Sequence, residues 1–229
     1  ERPRIFPITK FFIPMDFESF TNSINNFTAP VQSSNERKQP GEELNIANER
    51  IVTHTGKRFF YDLKDVKNAS DHLGELPKAG ETIHLIMPGN YAAFDLTIAL
   101  VKLINAKIKE LTISTLGYNK SNITHLFKML DSGLVEKMNL LASEVFKEKD
   151  KPITNYTLGL AEKTDRVKVA FTRNHSKIQI FDLDKKSYVT ETSSNLRSCN
   201  AIEQATITQS NELADFHRKW IKELINRYQ

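Results

Sequence analysis

The sequence predicts an α/β fold built on a mixed β-sheet flanked by helices, and three features of its texture carry that prediction. Between Gly56 and Val167, short β-rich runs alternate with helical ones. From Val167 onward, four β-rich runs follow one another with tight connections. The chain then closes on a stretch whose apolar residues recur every three or four positions. Alternation implies crossover connections and parallel strands, whereas tightly connected strands pair antiparallel, so one sheet holds both kinds of ladder.

Taken in order, the aromatic run 58–61 reads as a strand and residues 65–76 as a helix. Residues 81–87 form a strand ended by Pro88-Gly89, because proline cannot donate to a ladder and glycine accepts unusual turns. Residues 92–104 form an apolar helix, 109–116 a strand, and 122–130 a helix stopped by Gly133. A strand at 138–145 follows, and Pro152 opens a further helical stretch. The four later strands are 167–172, 177–181, 188–192 and 205–208. In the closing helix Leu213, Phe216, Trp220, Leu224 and Tyr228 keep helical spacing behind Ser210 or Asn211 as N-cap.

Residues 1–56 stand apart as an N-terminal segment that is partly loop-like: 22–49 is polar and holds the turn Gln39-Pro40-Gly41. The main domain, 57–229, is long enough for one sizeable core. A 39% hydrophobic and 26% charged composition is that of an ordinary globular protein. The single cysteine, Cys199, excludes an intrachain disulfide and fits a reducing compartment. No apolar run approaches the roughly 20 residues of a membrane-spanning helix. The apolar stretch 5–15 is interrupted by Lys10 and lacks a clean small-residue cleavage site. These features imply a cytoplasmic protein without stable membrane insertion. A formal charge of +4 suits a polyanionic partner such as nucleic acid, and equally suits plain solubility.

The chemistry concentrates in 173–182, where His175 and Lys177 stand two apart and Asp182 follows after four residues. In an extended strand His175 and Lys177 project together, while Ile178, Ile180 and Asp182 project to the other face. An imidazole beside an ammonium suits a phosphate: the cation neutralises non-bridging oxygens, and the ring attacks phosphorus or moves a proton. Ser193 and Asn195, again two apart, offer uncharged donors at the end of the next strand. Glu203 is a candidate acceptor for the second ring nitrogen of His175, a bond that would fix its tautomer. Asp182, on the face away from His175, reads as structural.

This pattern resembles the HKD motif of the phospholipase D superfamily, and is most similar to short members with one motif per chain, the bacterial endonucleases of the Nuc type. The match is strict at the motif and looser over 57–229. The resemblance implies a phospholipase D-like fold, His175 as the nucleophile that forms a phosphohistidine, and Lys177 and Asn195 as phosphate ligands. It also implies Ser193 as the serine of the family's Gly-Ser-x-Asn, Glu203 as the residue orienting His175, and no metal or other cofactor. Thr192 departs from the pattern, standing where the family has glycine. One motif per chain further implies a homodimer in which two His175 side chains meet across a two-fold axis.

The function expected on these grounds is a metal-independent phosphodiesterase, a nuclease with DNA as its partner. A phospholipase or phosphatidyltransferase acting on lipid phosphodiesters, and a non-catalytic nucleic-acid-binding module of the same fold, are the alternatives. A near-match at His54, Lys57 and Asp62 carries one residue too many between His and Lys, which in a single strand separates them onto opposite faces. His84, His125, His217 and Cys199 have no partners at metal-ligand or nucleophile spacing. The run Lys147, Lys149, Lys151 alternates with Glu148 and Asp150 and reads as a solvated face.

Overall fold

A computed structural model of the chain describes residues 51–54, 57–60, 69, 73–87, 89, 91–197 and 201–229, with backbone alone for 51–60. The elements run β1 (Ile51–His54), β2 (Lys57–Phe60), β3 (Thr82–Met87), α1 (Ala93–Ile104), β4 (Ile108–Thr115), α2 (Lys120–Asp131) and β5 (Val135–Ser143). They continue with α3 (Glu144–Lys149), α4 (Lys151–Ala161), β6 (Val167–Thr172), β7 (Ile178–Asp182), β8 (Ser187–Thr192), β9 (Glu203–Gln209) and α5 (Asn211–Tyr228). The strands form one sheet in the order β1-β2-β3-β9-β8-β7-β4-β5-β6. Pairs β2–β3, β4–β5 and β5–β6 are parallel and the other five antiparallel. The mixed sheet with flanking helices is the fold class the sequence predicts.

Helices cover the central strands on both faces. Thr97 Oγ1 in α1 donates to Gln179 Oε1 (2.5 Å), and Gln179 Nε2 donates to Ala93 O (3.3 Å), so α1 lies on the Gln179 face of β7. Successive strand residues alternate faces. Ile178 and Ile180 accordingly pack on the other side with Leu141, Ala170 and Val189 against Ala214, Ile221 and Ile225 of α5. That double cover explains why every position of β7 and residues 138–143 of β5 are buried.

Several boundaries differ from the sequence reading. β5 begins at Val135 and ends at Ser143, whose Oγ accepts from Val145 N (3.2 Å) and caps the short helix α3, so 144–145 is helix and not strand. The near-motif at His54 and Lys57 is not one strand: the two residues end β1 and begin β2 and are cross-strand partners, which removes the opposite-face argument. In α5, Ser210 Oγ accepts from Leu213 N (3.1 Å) as the N-cap. Its buried stripe is Ala214, His217, Ile221 and Ile225, whereas Phe216 and Tyr228 are 65% and 50% exposed. Leu213, Trp220 and Leu224 of the expected apolar face pack, partly buried, against the same cluster, so that face holds in part and is displaced toward Ala214, Ile221 and Ile225. Residues 65–68 and 70–72 of the expected helix 65–76 lie outside the described residues, as do 1–50, Pro88, Asn90 and Cys199. Ala69 and Leu73 are helical, and 74–76 are not, the chain turning at Gly74 with φ 66°. Among the described residues, no helix is long and apolar enough to cross a membrane.

Candidate active site

His175 sits on a bridge. β6 is the edge strand and β7 lies three strands away, beyond β5 and β4. With strands about 4.8 Å apart, residues 173–177 must cross about 14 Å over the end of β5 and β4. From Thr172 to Ile178 the chain reaches about 20 Å when fully extended, so it has little slack. His175 stands exposed at the middle of this crossing, at the C-terminal end of the parallel strands.

The structure brings His175 and Lys177 together. Lys177 Nζ lies 3.1 Å from His175 Nδ1 and donates to the His175 carbonyl at 2.8 Å. The strand geometry expected for this pair is corrected: both residues precede β7, and the bridge supplies the juxtaposition. Partial burial holds the Lys177 ammonium below the 10.5 of a free lysine, and the Glu203 carboxylate works against that shift. By register, Glu203 at the start of β9 shares the face of Thr192 and Ala205, and Thr192 N donates to Lys177 O (3.1 Å).

Ser193 is bonded to the start of β9. It follows the last residue of β8, and its Oγ donates to Glu203 while accepting from Gln204 N (3.0 Å). Its own N–H donates to Gln204 O at 3.0 Å. Thr192 donates from Oγ1 to Gln204 O (2.8 Å) and accepts from Ser194 N (3.0 Å). Among the described non-glycine residues, Asn105 alone has a positive φ. Thr192 therefore holds this corner by hydrogen bonds and needs no glycine-only backbone. Asn195 is partly buried, and its Oδ1 is buried with no partner among the described residues.

Asp182 lies apart from this group. It is 9% exposed at the end of β7, accepting from Ser187 Oγ (2.6 Å) and from Arg218 of α5 through Nη2 (2.6 Å) and Nε (3.0 Å). By strand alternation it shares the α5 face with Ile178 and Ile180. His217, also on α5, is buried with Nε2 3.0 Å from Glu191 Oε1 and accepts from Trp220 Nε1 (3.2 Å), the partners of a packed helix residue.

Asn174 is the residue the sequence reading passed over. It is 8% exposed beneath the bridge, and its Nδ2 lies within 2.9–3.2 Å of Ser114 Oγ, Thr115 O and Leu141 O. Its Oδ1 accepts from Ser176 N (3.0 Å) and Ser176 Oγ (2.7 Å). The one available signal was the topology: a short connection over two strand ends needs a polar side chain to meet their carbonyls.

No protein-family model and no curated protein matches the chain. Solved structures do. The chain is similar to the phospholipase D family member Nuc of Salmonella typhimurium, with 13% identity and TM-score 0.49 over 65% of this chain and 96% of that one. Phosphatidylserine synthase of Haemophilus influenzae Rd KW20 is similar at 13% identity and TM-score 0.44, over 62% of this chain and 38% of that one. Polyphosphate kinase of Porphyromonas gingivalis is similar at 17% identity and TM-score 0.41, over 61% of this chain and 22% of that one. The chain thus spans well under two thirds of the synthase and the kinase. At these identities and TM-scores the likenesses carry no weight for function, which rests on the residues around the His175 bridge.

Proposed function

We propose that the chain is a phospholipase D-like phosphodiesterase that cleaves nucleic-acid phosphodiester bonds through a phosphohistidine at His175. The observation that carries this reading is the His175–Lys177 pair, an exposed imidazole 3.1 Å from an ammonium on a taut bridge. Glu203, whose charge acts on Lys177, accepts from Ser193 Oγ, and Asn195 Oδ1, without a partner among the described residues, follows Ser193 in the same loop.

The contacts suggest how the ring is set. With Lys177 charged and donating, Nδ1 is an acceptor and the ring hydrogen lies on Nε2. An entering phosphate draws the ammonium onto its non-bridging oxygens and releases Nδ1. Solvent water takes the hydrogen from Nε2 and returns one to Nδ1, where Glu203 accepts it, so that Nε2 has a free lone pair and attacks phosphorus. The N–P bond forms, the P–O bond to the leaving group breaks, and the departing oxygen takes a proton from the second ring, His175 of the partner subunit, which enters as imidazolium and is left as neutral imidazole. Water then gives its proton to that second imidazole and attacks phosphorus, and the N–P bond breaks. Each dimer thus builds one composite site, an assembly that sedimentation would detect.

The test is cleavage of plasmid and single-stranded DNA in EDTA by the wild type and by His175→Ala. Wild-type cleavage, with a loss of about 10⁴-fold or more in the variant, supports the reading. Equal cleavage by both rejects His175 as nucleophile. Cleavage of a lipid phosphodiester in place of DNA moves the activity to the lipid class.

A further inference from the structure

We propose that Asn174 is the positioning residue of this site, a buried clamp that fixes the His175 bridge to the ends of β4 and β5. The hydrogen bonds close on themselves. Asn174 Nδ2 donates to Ser114 Oγ (2.9 Å), and Ser176 Oγ donates to Asn174 Oδ1 (2.7 Å). The Ser176 proton is thereby used, so in the 2.6 Å contact between the two hydroxyls Ser114 is the donor. Three side chains form a ring in which every donor meets an acceptor. Nδ2 also reaches Thr115 O (3.1 Å) and Leu141 O (3.2 Å), and Ser176 N donates to Oδ1 (3.0 Å).

The clamp acts on the nucleophile through the backbone. Asn174 and Ser176 flank His175; Asn174 is tied down to β4 and β5, and Ser176 to β4 and to Asn174 itself. The intervening residue can then only project outward, where its imidazole meets Lys177. Asn174 N also donates to Thr172 O (2.7 Å), which uses up part of the span at the β6 end. A crossing of about 14 Å held only at its termini would let His175 wander by about an ångström, and misplacement on that scale costs on the order of 100-fold in rate. Aspartate or leucine cannot replace the amide: one repels the two carbonyls, and the other leaves them unpaired.

The inference rests on the phosphodiesterase reading, so its test needs a readout that survives the failure of that reading. Wild type, Asn174→Ala, Ser176→Ala and Asn139→Ala are compared on bis(p-nitrophenyl) phosphate, with His175 imidazole NMR signals recorded for each. Asn139 serves as control, being 5% exposed in the same β4–β5 ladder and bonded to Thr112 Oγ1 (3.3 Å) away from the bridge. The expected result for Asn174→Ala is a kcat about 100-fold lower, KM within about 3-fold, and displaced or broadened His175 signals. Ser176→Ala follows the same direction more weakly and decides the matter should Asn174→Ala fail to fold. Asn139→Ala loses stability while kcat and the His175 signals stay at their wild-type values. Wild-type kcat together with unchanged His175 signals in the clamp variants overturns the proposal. If the wild type itself cleaves no phosphodiester, the functional reading falls, and the His175 signals alone still decide whether Asn174 positions the ring.

Discussion

Arg218 grips Asp182 through both carboxylate oxygens, Nη2 to Oδ1 at 2.6 Å and Nε to Oδ2 at 3.0 Å. The acidic residue of the motif is thereby tied to the C-terminal helix on the α5 face of β7, while His175 and Lys177 stand on the bridge before that strand. The motif thus combines two jobs: its first half presents reactive groups, and its last residue fastens a helix to the sheet.

Asp182→Ala should therefore lower stability without removing a reactive group. Arg218 retains 23% side-chain exposure, which trims the loss to about 2–3 kcal/mol from the 3–5 of fully buried pairs. Urea titration checks this, alongside kcat measured well below the melting temperature. A variant as stable as wild type yet inactive would contradict the structural role.

Lys177 predicts the alkaline limb of the rate profile. Its folded pKa lies below 10.5, so between the folded and the free value the unfolded chain binds more protons than the native one. The shift costs stability at neutral pH, and stability recovers as pH rises through the folded pKa toward 10.5. Activity that needs the ammonium fails in the same window, below the pH at which a free lysine titrates. Glu203→Gln removes the charge that opposes the shift, so its alkaline limb in kcat/KM should move to lower pH. An alkaline limb that stays in place in Glu203→Gln would separate Glu203 from Lys177.

Asn195→Ala should separate stability from rate. The buried Oδ1 has no partner among the described residues, and an unsatisfied buried acceptor costs about 1–3 kcal/mol. Its removal is expected to leave the melting temperature equal or higher, while phosphate binding weakens and turnover drops by roughly 100-fold. A clear loss of stability would show that the amide is structural.

Thr192→Gly, which introduces the glycine of the pattern that the motif resembles, should destabilise the protein. It deletes the bonds to Gln204 O and from Ser194 N and adds backbone freedom, together about 1–2 kcal/mol. Thermal unfolding measures it, and a gain in stability would mean that the β-branched residue strains the corner.

Much of the fold was legible because its signals are local. The run 167–172 reads as a strand from its β-branched and aromatic residues, and the structure returns the same bounds. Ser210 announces the closing helix by the chemistry of an N-cap. The α5 seam was less legible: spacing alone leaves several neighbouring stripes, and only packing against Ile180 and Val189 selects Ala214, Ile221 and Ile225. The pairing of His54 with Lys57 across β1 and β2 was hidden because sequence spacing does not tell one strand from two that pair with each other.

By itself the sequence determined which reactive groups are present and that the chain alternates strand and helix before a run of strands, since residue type and periodicity are properties of the chain. Where those groups stand was decided by the tertiary structure alone. Strand order places β6 and β7 on either side of β4 and β5, so residues 173–177 must span the gap. The length of that gap, and the carbonyls beneath it that Asn174 satisfies, come from segments far away in sequence, Ser114 and Leu141 among them.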